Sequence, residues 1–349
     1  MNTYSAHTVS QHIPIKNVGE QAVPLMDKFG RRFEYLRLSI TDVCNFSCQY
    51  CLPDGYQCDT PRNFMSASEL NAVVQAFARM GTKKVRITGG EPALRNDLTT
   101  IIQQTASVEG IEQVAITTNG YKLEKDLRAW VDAGLTSLNV SIDSLDPRQF
   151  QQITGDGRLP SILKGLELAV ELGLQVKVNA VLLKEFNASQ LSLFFDFVKS
   201  NNITLRFIEL MQTGDNEAFF NAQHVSGESI ENKLIEMGWS RKQKAQWAGP
   251  AKVYRHEDYL GRIGLIMPYS KDFCADCNRL RISALGKLHL CLFSEKGIDL
   301  RDTIAKSLNE QDPSCLVTEI QNMLGHKEAT HYLDKGFTGA TQHLAMLGG

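Results

Sequence analysis

The chain has 349 residues, 37 Lys+Arg against 39 Asp+Glu, a formal net charge of −2 and a pI near 6.5. That balance excludes a general nucleic-acid-coating or polybasic membrane-binding surface, and 43% hydrophobic with 22% charged residues excludes wholesale disorder. No run nears the ~18 apolar residues of a membrane span and no basic-then-apolar signal opens the chain, so a soluble, cytoplasmic protein of about two domains is expected.

Residues 1–20 are polar and mixed, and residues 1–30 read as an N-terminal tail. From Phe33 onward, β-rich runs fall near 33–40, 83–88, 113–118, 136–142, 175–183 and 203–209. A helix opens at Ser66, where Glu69 completes a capping box before Leu70, Val73, Val74 and Phe77. Further helical spacing runs near 96–107, 124–134, 161–173 and 188–201. Repeated strand–helix alternation predicts a parallel sheet built from right-handed crossovers. Four strands, Leu36–Ser39, Val85–Thr88, Val140–Asp143 and Val176–Asn179, each pair an apolar face with a polar one. A parallel strand covered on both sides is apolar nearly throughout. The polar face therefore predicts an interior that holds a polar ligand. The expected fold is α/β, a partial (β/α)6 TIM-like barrel over residues 31–245. After Met211 the rhythm changes: a helix near 226–238, β-like runs at 262–267, 279–284 and 287–291, then helices near 300–308 and 314–325. Residues 246–349 read as a C-terminal mixed α+β domain.

Eight cysteines are too few for a disulfide scaffold in a chain this long, and six of them form two tight groups. Cys44, Cys48 and Cys51 have spacing C-x3-C-x2-C directly after the first strand, the end where parallel barrels place their chemistry. Three thiolates can hold three irons of a cubane cluster and leave the fourth open to a small molecule. A structural zinc would need a fourth ligand, for which Cys58 is the local candidate. Cys274, Cys277 and Cys291 repeat the pattern as C-x2-C-x13-C, with a zinc knuckle completed by His289 or Cys315 as the competing reading. Arg279 and Arg281 share one strand face beside this trio. Paired guanidiniums there suit an anionic, nitrogen-bearing ligand, although a solvated strand face gives the same pattern.

The first cysteine segment resembles the signature of radical S-adenosylmethionine (SAM) enzymes, and Gly89-Gly90-Glu91-Pro92 resembles their glycine-rich motif. From about Phe33 to the C-terminus the chain resembles the GTP 3′,8-cyclase family of molybdenum-cofactor biosynthesis. Both cysteine spacings, the run Cys277-Asn278-Arg279-Leu280-Arg281 and the terminal Gly348-Gly349 carry that resemblance. It implies two 4Fe-4S clusters. Cys44, Cys48 and Cys51 would hold the one that cleaves SAM, and Cys274, Cys277 and Cys291 the one whose open iron meets the guanine of GTP. SAM contacts would fall on Tyr50, Gly90, Ser141 and Met211, although a Met after a strand is more often core. GTP contacts would fall on Arg37, Arg86, Thr117, Lys177, Arg279, Leu280 and Arg281. Catalytic roles would fall on Arg279, Arg281 and the tail Gly348-Gly349, which threads into the active site. The implied reaction is hydrogen abstraction from ribose C3′ by a 5′-deoxyadenosyl radical, followed by C3′–C8 bond formation. The implied partners are a reductase or flavodoxin-type electron donor, a downstream cyclic pyranopterin monophosphate synthase and a second copy in a homodimer. Two other readings stay open: a radical SAM peptide maturase with an auxiliary cluster, and a zinc-stabilised nucleotide- or RNA-binding module.

Overall fold

The computed structural model describes residues 24–58, 62–214, 216–244, 247–294, 296–339 and 344–348. Most of the expected tail and Gly349 lie outside the described residues. Residues 24–33, where that tail was expected to end, are packed. Leu25 is buried, its N–H donates to the Met80 carbonyl at 3.2 Å, and Asp27 pairs with Arg31 at 2.7 Å.

The six expected strands are β1 (Tyr35–Thr41), β2 (Lys84–Gly89), β3 (Gln113–Thr118), β4 (Ser137–Ser141), β5 (Gln175–Leu182) and β6 (Thr204–Glu209). They pair in parallel in chain order. The helix Ala67–Arg79 starts at the expected capping box: the Glu69 N–H donates to Ser66 Oγ at 3.3 Å and the Ser66 N–H to Glu69 Oε2 at 2.7 Å. Leu70, Val73, Val74 and Phe77 bury one face of this helix against the sheet.

The C-terminal portion adds β7 (Ser240–Arg241), β8 (Lys252–Arg255), β9 (Arg262–Ile266), β10 (Arg279–Ile282), β11 (Lys287–His289) and β12 (Ile298–Asp299). These strands join the same sheet, whose order is β12-β11-β10-β1-β2-β3-β4-β5-β6-β9-β8-β7. Strand β9 runs parallel to β6 and β10 parallel to β1, so the parallel run extends at both edges. Because β9 and β10 are consecutive in the chain yet close opposite ends of the parallel run, the segment between them passes from one end of that run to the other. That segment carries Cys274 and Cys277.

Alternation sorts the strands as expected. Leu36, Leu38, Val85, Ile87, Val176, Val178, Leu205 and Phe207 are buried in the core under the helices. The opposite face carries Tyr35, Arg37, Lys84, Arg86, Asn139, Lys177, Asn179 and Arg206. No helix among the described residues is long and apolar enough to cross a membrane.

Ser66→Ala removes the half of the capping box that Ser66 Oγ makes by accepting from the Glu69 N–H. It is expected to lower unfolding stability by about 1 kcal/mol, read as a lower urea midpoint with unchanged slope.

Candidate active site

Parallel strands end on one side of a sheet, so the loops after β1 to β6 meet there. The β1 loop carries the first cysteine trio. Its backbone is fixed by Ser47 and Gln49, whose N–H groups donate to the Thr154 and Ile153 carbonyls at 3.0 Å. Those carbonyls belong to the helix Pro147–Thr154, which the periodicity missed because it is short. Local chemistry marks it nonetheless: Asp146 caps it, Pro147 opens it, and Gly155 ends it at φ +73°.

Cys44, Cys48 and Cys51 are half-buried, and none of them is in a disulfide. Burial pushes the Cys44 thiol up to about 11 and Cys51 to about 12, and raises Cys48 well above its ordinary value. Their mutual repulsion adds to this at Cys48 and Cys51. Such thiols give up their protons to a metal centre that compensates the charge, so the donor set fits an iron–sulfur cluster. Cys58 does not join them. It is exposed, with Arg62 Nε 3.5 Å from its sulfur.

The Gly89-Gly90-Glu91-Pro92 segment packs directly on this loop. A Cβ on Gly90 would lie 2.6 Å from the Asp42 carbonyl oxygen and collide with that of Val43; one on Gly89 (φ +142°) would collide with the Thr41 carbonyl. The close approach that requires glycine here is therefore made by protein backbone. Glu91 follows, fully buried, and accepts from the Ala93 N–H (2.9 Å), Thr118 Oγ1 (2.8 Å) and the Asn119 N–H (2.6 Å). Burial raises its pKa to about 7 against the pull of those donors. Asn119 in turn donates from Nδ2 to Asn45 Oδ1 at 2.9 Å, tying the β3 loop to the cysteine loop.

Tyr50 donates its hydroxyl to Asp143 Oδ2 at 2.9 Å, and its ring packs against Ile153, Leu183 and Leu210. Asp143, raised to about 6 by burial, also accepts from the Val181 N–H at 2.8 Å. Ser141 ends β4 on the polar face, half-buried. Met211 lies in an apolar cluster with Leu292, Phe293, Leu333, Leu344 and Leu347. Cys51 of the first trio and Cys291 of the second both pack against this cluster.

Inside the curl of the sheet lies a cavity lined by residues of β1, β2, β5, β6, β9 and β10. Its described lining carries Arg37, Arg86, Arg206, Arg279 and Arg281, the thiols Cys274, Cys277 and Cys291, Met211, and no carboxylate. Cys277 is lowered to about 7: burial opposes this, but Arg279, Lys327 and Arg31 outweigh it. Neither proposed zinc partner joins this trio. The Cys315 thiol donates to the Thr303 carbonyl at 3.8 Å, and His289 lines a different pocket. Among the described residues no three His, Cys, Asp or Glu side chains are placed to hold a single metal ion.

Burial and like-charge crowding depress the interior cations. Arg206 falls to about 9, with burial first and Arg86 second, and Arg281 to about 10, with burial first and Arg279 second. Lys177 falls to about 6 through burial, then Arg206, Lys84 and Arg86. Tyr35 moves the other way: despite burial, Arg86, Arg37, Lys84 and Arg279 bring it down to about 8. An anion placed here would relieve all of these shifts.

Of the expected ligand contacts, Arg37, Arg86, Arg279 and Arg281 line the cavity. Lys177 and Thr117 lie on the same face outside its lining. Lys177 donates to Ser137 Oγ at 3.2 Å, and Thr117 Oγ1 is buried with no hydrogen-bond partner. The Leu280 side chain is excluded, because it lies on the opposite face of β10, fully buried in the core. The sequence reading missed Tyr35, Lys84, Asn179 and Arg206. Each sits two residues from a position it did name or on the matching face of a paired strand, which is the signal that could have found them.

The C-terminal segment reaches the same place. Arg281 Nη1 donates to the Leu347 and Gly348 carbonyls at 3.1 and 3.2 Å, and Arg37 also donates to that of Gly348. Gly348 has φ +59°, and a Cβ there would run into Thr88.

The Radical SAM superfamily matches residues 38–198, and Molybdenum Cofactor Synthesis C matches residues 203–333. A GTP 3′,8-cyclase of Actinobacillus pleuropneumoniae serotype 3 (strain JL03) is 53% identical over 342 residues, covering 97% of this chain and 100% of the relative. One of Vibrio vulnificus (strain CMCP6) is 55% identical over 326 residues, covering 93% and 97%. The chain belongs to the GTP 3′,8-cyclase family. Among solved structures, Streptococcus suis SuiB bound to S-adenosylmethionine shares the fold at TM-score 0.58, with 15% identity over 86% of this chain and 68% of SuiB. GTP 3′,8-cyclases are radical SAM enzymes, and that match implies SAM and an iron–sulfur cluster.

Lys177 has a sign that can be worked out. Its pKa of about 6 would rise with a triphosphate beside it, so GTP binding is expected to take up a proton above pH 6. Affinity is expected to fall as pH rises through that window, and Lys177→Met to remove this part of the slope. Calorimetry in buffers of different ionisation enthalpy reads the difference between the two proteins, in which titration of the phosphate itself cancels.

Proposed function

We propose that this chain converts GTP to (8S)-3′,8-cyclo-7,8-dihydroguanosine 5′-triphosphate, the first step of molybdenum-cofactor biosynthesis, with a 4Fe-4S cluster at each cysteine trio. The observation that carries it is the described cavity lining, which brings five guanidiniums together with three thiols. A polyanion matches that charge, and a peptide does not require it.

SAM bound at the first cluster supplies the 5′-deoxyadenosyl radical that takes hydrogen from ribose C3′. The chain's own residues bind and orient. Arg37, Arg86, Lys177 and Arg206 neutralise the triphosphate in an interior where weak screening strengthens each contact. Arg279 and Arg281, on one face of β10, fix the base beside the second trio. Tyr50, Gly90, Ser141 and Met211 would contact SAM. Arg37 and Arg281 donate to the Leu347 and Gly348 carbonyls, which supports a role for the tail beside the reacting groups. The same proposal includes a flavodoxin-type or reductase electron donor, a cyclic pyranopterin monophosphate synthase to take the product, and a cytoplasmic homodimer.

Anaerobically reconstituted protein is expected to hold roughly eight irons and to release 5′-deoxyadenosine with SAM and reductant only when GTP is present. Release with ATP but not GTP, or a colourless zinc protein, overturns the assignment. Arg281→Lys keeps the charge but loses the fork. It is expected to cost about 1.5–3 kcal/mol, roughly ten- to hundredfold in kcat/KM for GTP, with iron content unchanged. Gly348→Ala is expected to slow GTP-dependent release of 5′-deoxyadenosine without changing iron content or melting temperature, because its left-handed backbone and the Thr88 contact both exclude a Cβ.

A further inference from the structure

The two cysteine trios sit among buried groups of opposite sign. Behind the second trio lies Lys327, only 3% exposed. Its ammonium donates to the Leu290 carbonyl, next to Cys291, and lies 5.3 Å over the Phe33 ring. No carboxylate among the described residues pairs with it. A buried ammonium without a counter-ion is costly, so its place needs a negative neighbour. Its field reaches Cys277. Arg31 supports the same loops: Nη1 donates to the Cys274 carbonyl at 3.1 Å and to that of Ala329 at 2.8 Å, and Nη2 to that of Glu328 at 2.6 Å. Asp27 neutralises Arg31 at 2.7 Å, so Lys327 acts on the second trio together with Arg279 of the cavity lining.

At the first trio the buried neighbours are carboxyl groups. Asp143 is held by the hydroxyl of Tyr50, which lies between Cys48 and Cys51, and its charge bears on both thiols. Glu91 bears on Cys44.

We propose that buried side-chain charges hold the two metal centres at different reduction potentials, with Lys327 raising the second and Asp143 lowering the first. This rests on the two-cluster assignment above. The couple is one-electron: each 4Fe-4S core passes from 2+ to 1+ with an electron from an external reductant, and no bond to the chain forms or breaks. Three thiolates make each centre a net anion that becomes more negative on reduction. A fixed cation therefore favours the reduced form and a fixed anion the oxidised form. Lys327 and Asp143 are positioning residues in this sense, since neither belongs to the trios or to the cavity lining.

The test is an EPR-monitored redox titration of the full chain, reconstituted anaerobically and poised with dithionite at pH 8. In the unaltered protein the second cluster is expected to have the higher midpoint. Lys327→Met lowers that midpoint and leaves the first in place, and Lys327→Arg restores it. Asp143→Asn raises the first midpoint and leaves the second, so the proposal can still be read if Lys327→Met fails to fold. Midpoints unmoved by both Lys327→Met and Asp143→Asn, or moved together by either one, overturn the proposal while leaving the two-cluster assignment standing. Absence of a second cluster signal in the unaltered protein, with about four irons, overturns both.

Discussion

The interior of this curled sheet gathers positive charge from several strands onto one face. Arg37, Arg86, Arg206, Arg279 and Arg281 face one cavity, Lys84 and Lys177 share the same sheet face, and the described lining offers only thiols and Tyr35 as acids. Proteins rarely bury like charges together, because desolvation and mutual repulsion both oppose it. Depressed pKa values at Lys177, Arg206 and Arg281 record that opposition. The apolar shell of helices outside the sheet must hold this face in place, and Leu36, Leu38, Val85, Ile87, Val178 and Phe207 are the residues that do so. A polyanionic ligand complements this arrangement.

Around that cavity the backbone is fixed by contacts that tolerate no added carbon. Gly89 and Gly90 let the loop after β2 lie against the carbonyls of the cysteine loop, and Glu91 then joins the loops after β2 and β3. The helix Pro147–Thr154 braces the same loop from its other side. The first trio is thus positioned by three separate strand ends. The second trio is positioned differently, Cys274 and Cys277 by the chain passing between β9 and β10 at opposite ends of the parallel run and Cys291 by the turn after β11. Both trios rest on the apolar cluster around Met211, but only the second opens into the arginine-lined cavity.

Much of this was legible before folding. Period-two alternation placed Arg37, Arg86 and Lys177 on one face, since residues two apart on a strand must share it. Spacing alone paired the cysteines into trios. The short helices Pro147–Thr154 and Glu217–Gln223 escaped because two turns give too few apolar repeats to register a period. Leu280 was swept in with its neighbours, although alternation puts it on the core side of β10.

By itself, then, the sequence determined the strand–helix rhythm, the sign of each strand face and the two thiol groups, because those depend on near neighbours along the chain. Which strands lie at the edges was settled only in three dimensions. Strands β9 and β10 are thirteen residues apart from Ile266 to Arg279 yet flank the sheet on opposite sides, a long-range pairing that no local pattern encodes. The same holds for Lys327 beneath Cys291 and for Gly348 at the Arg37 and Arg281 forks. Their meaning comes from burial beside groups distant in sequence, and only the closed chain brings them together.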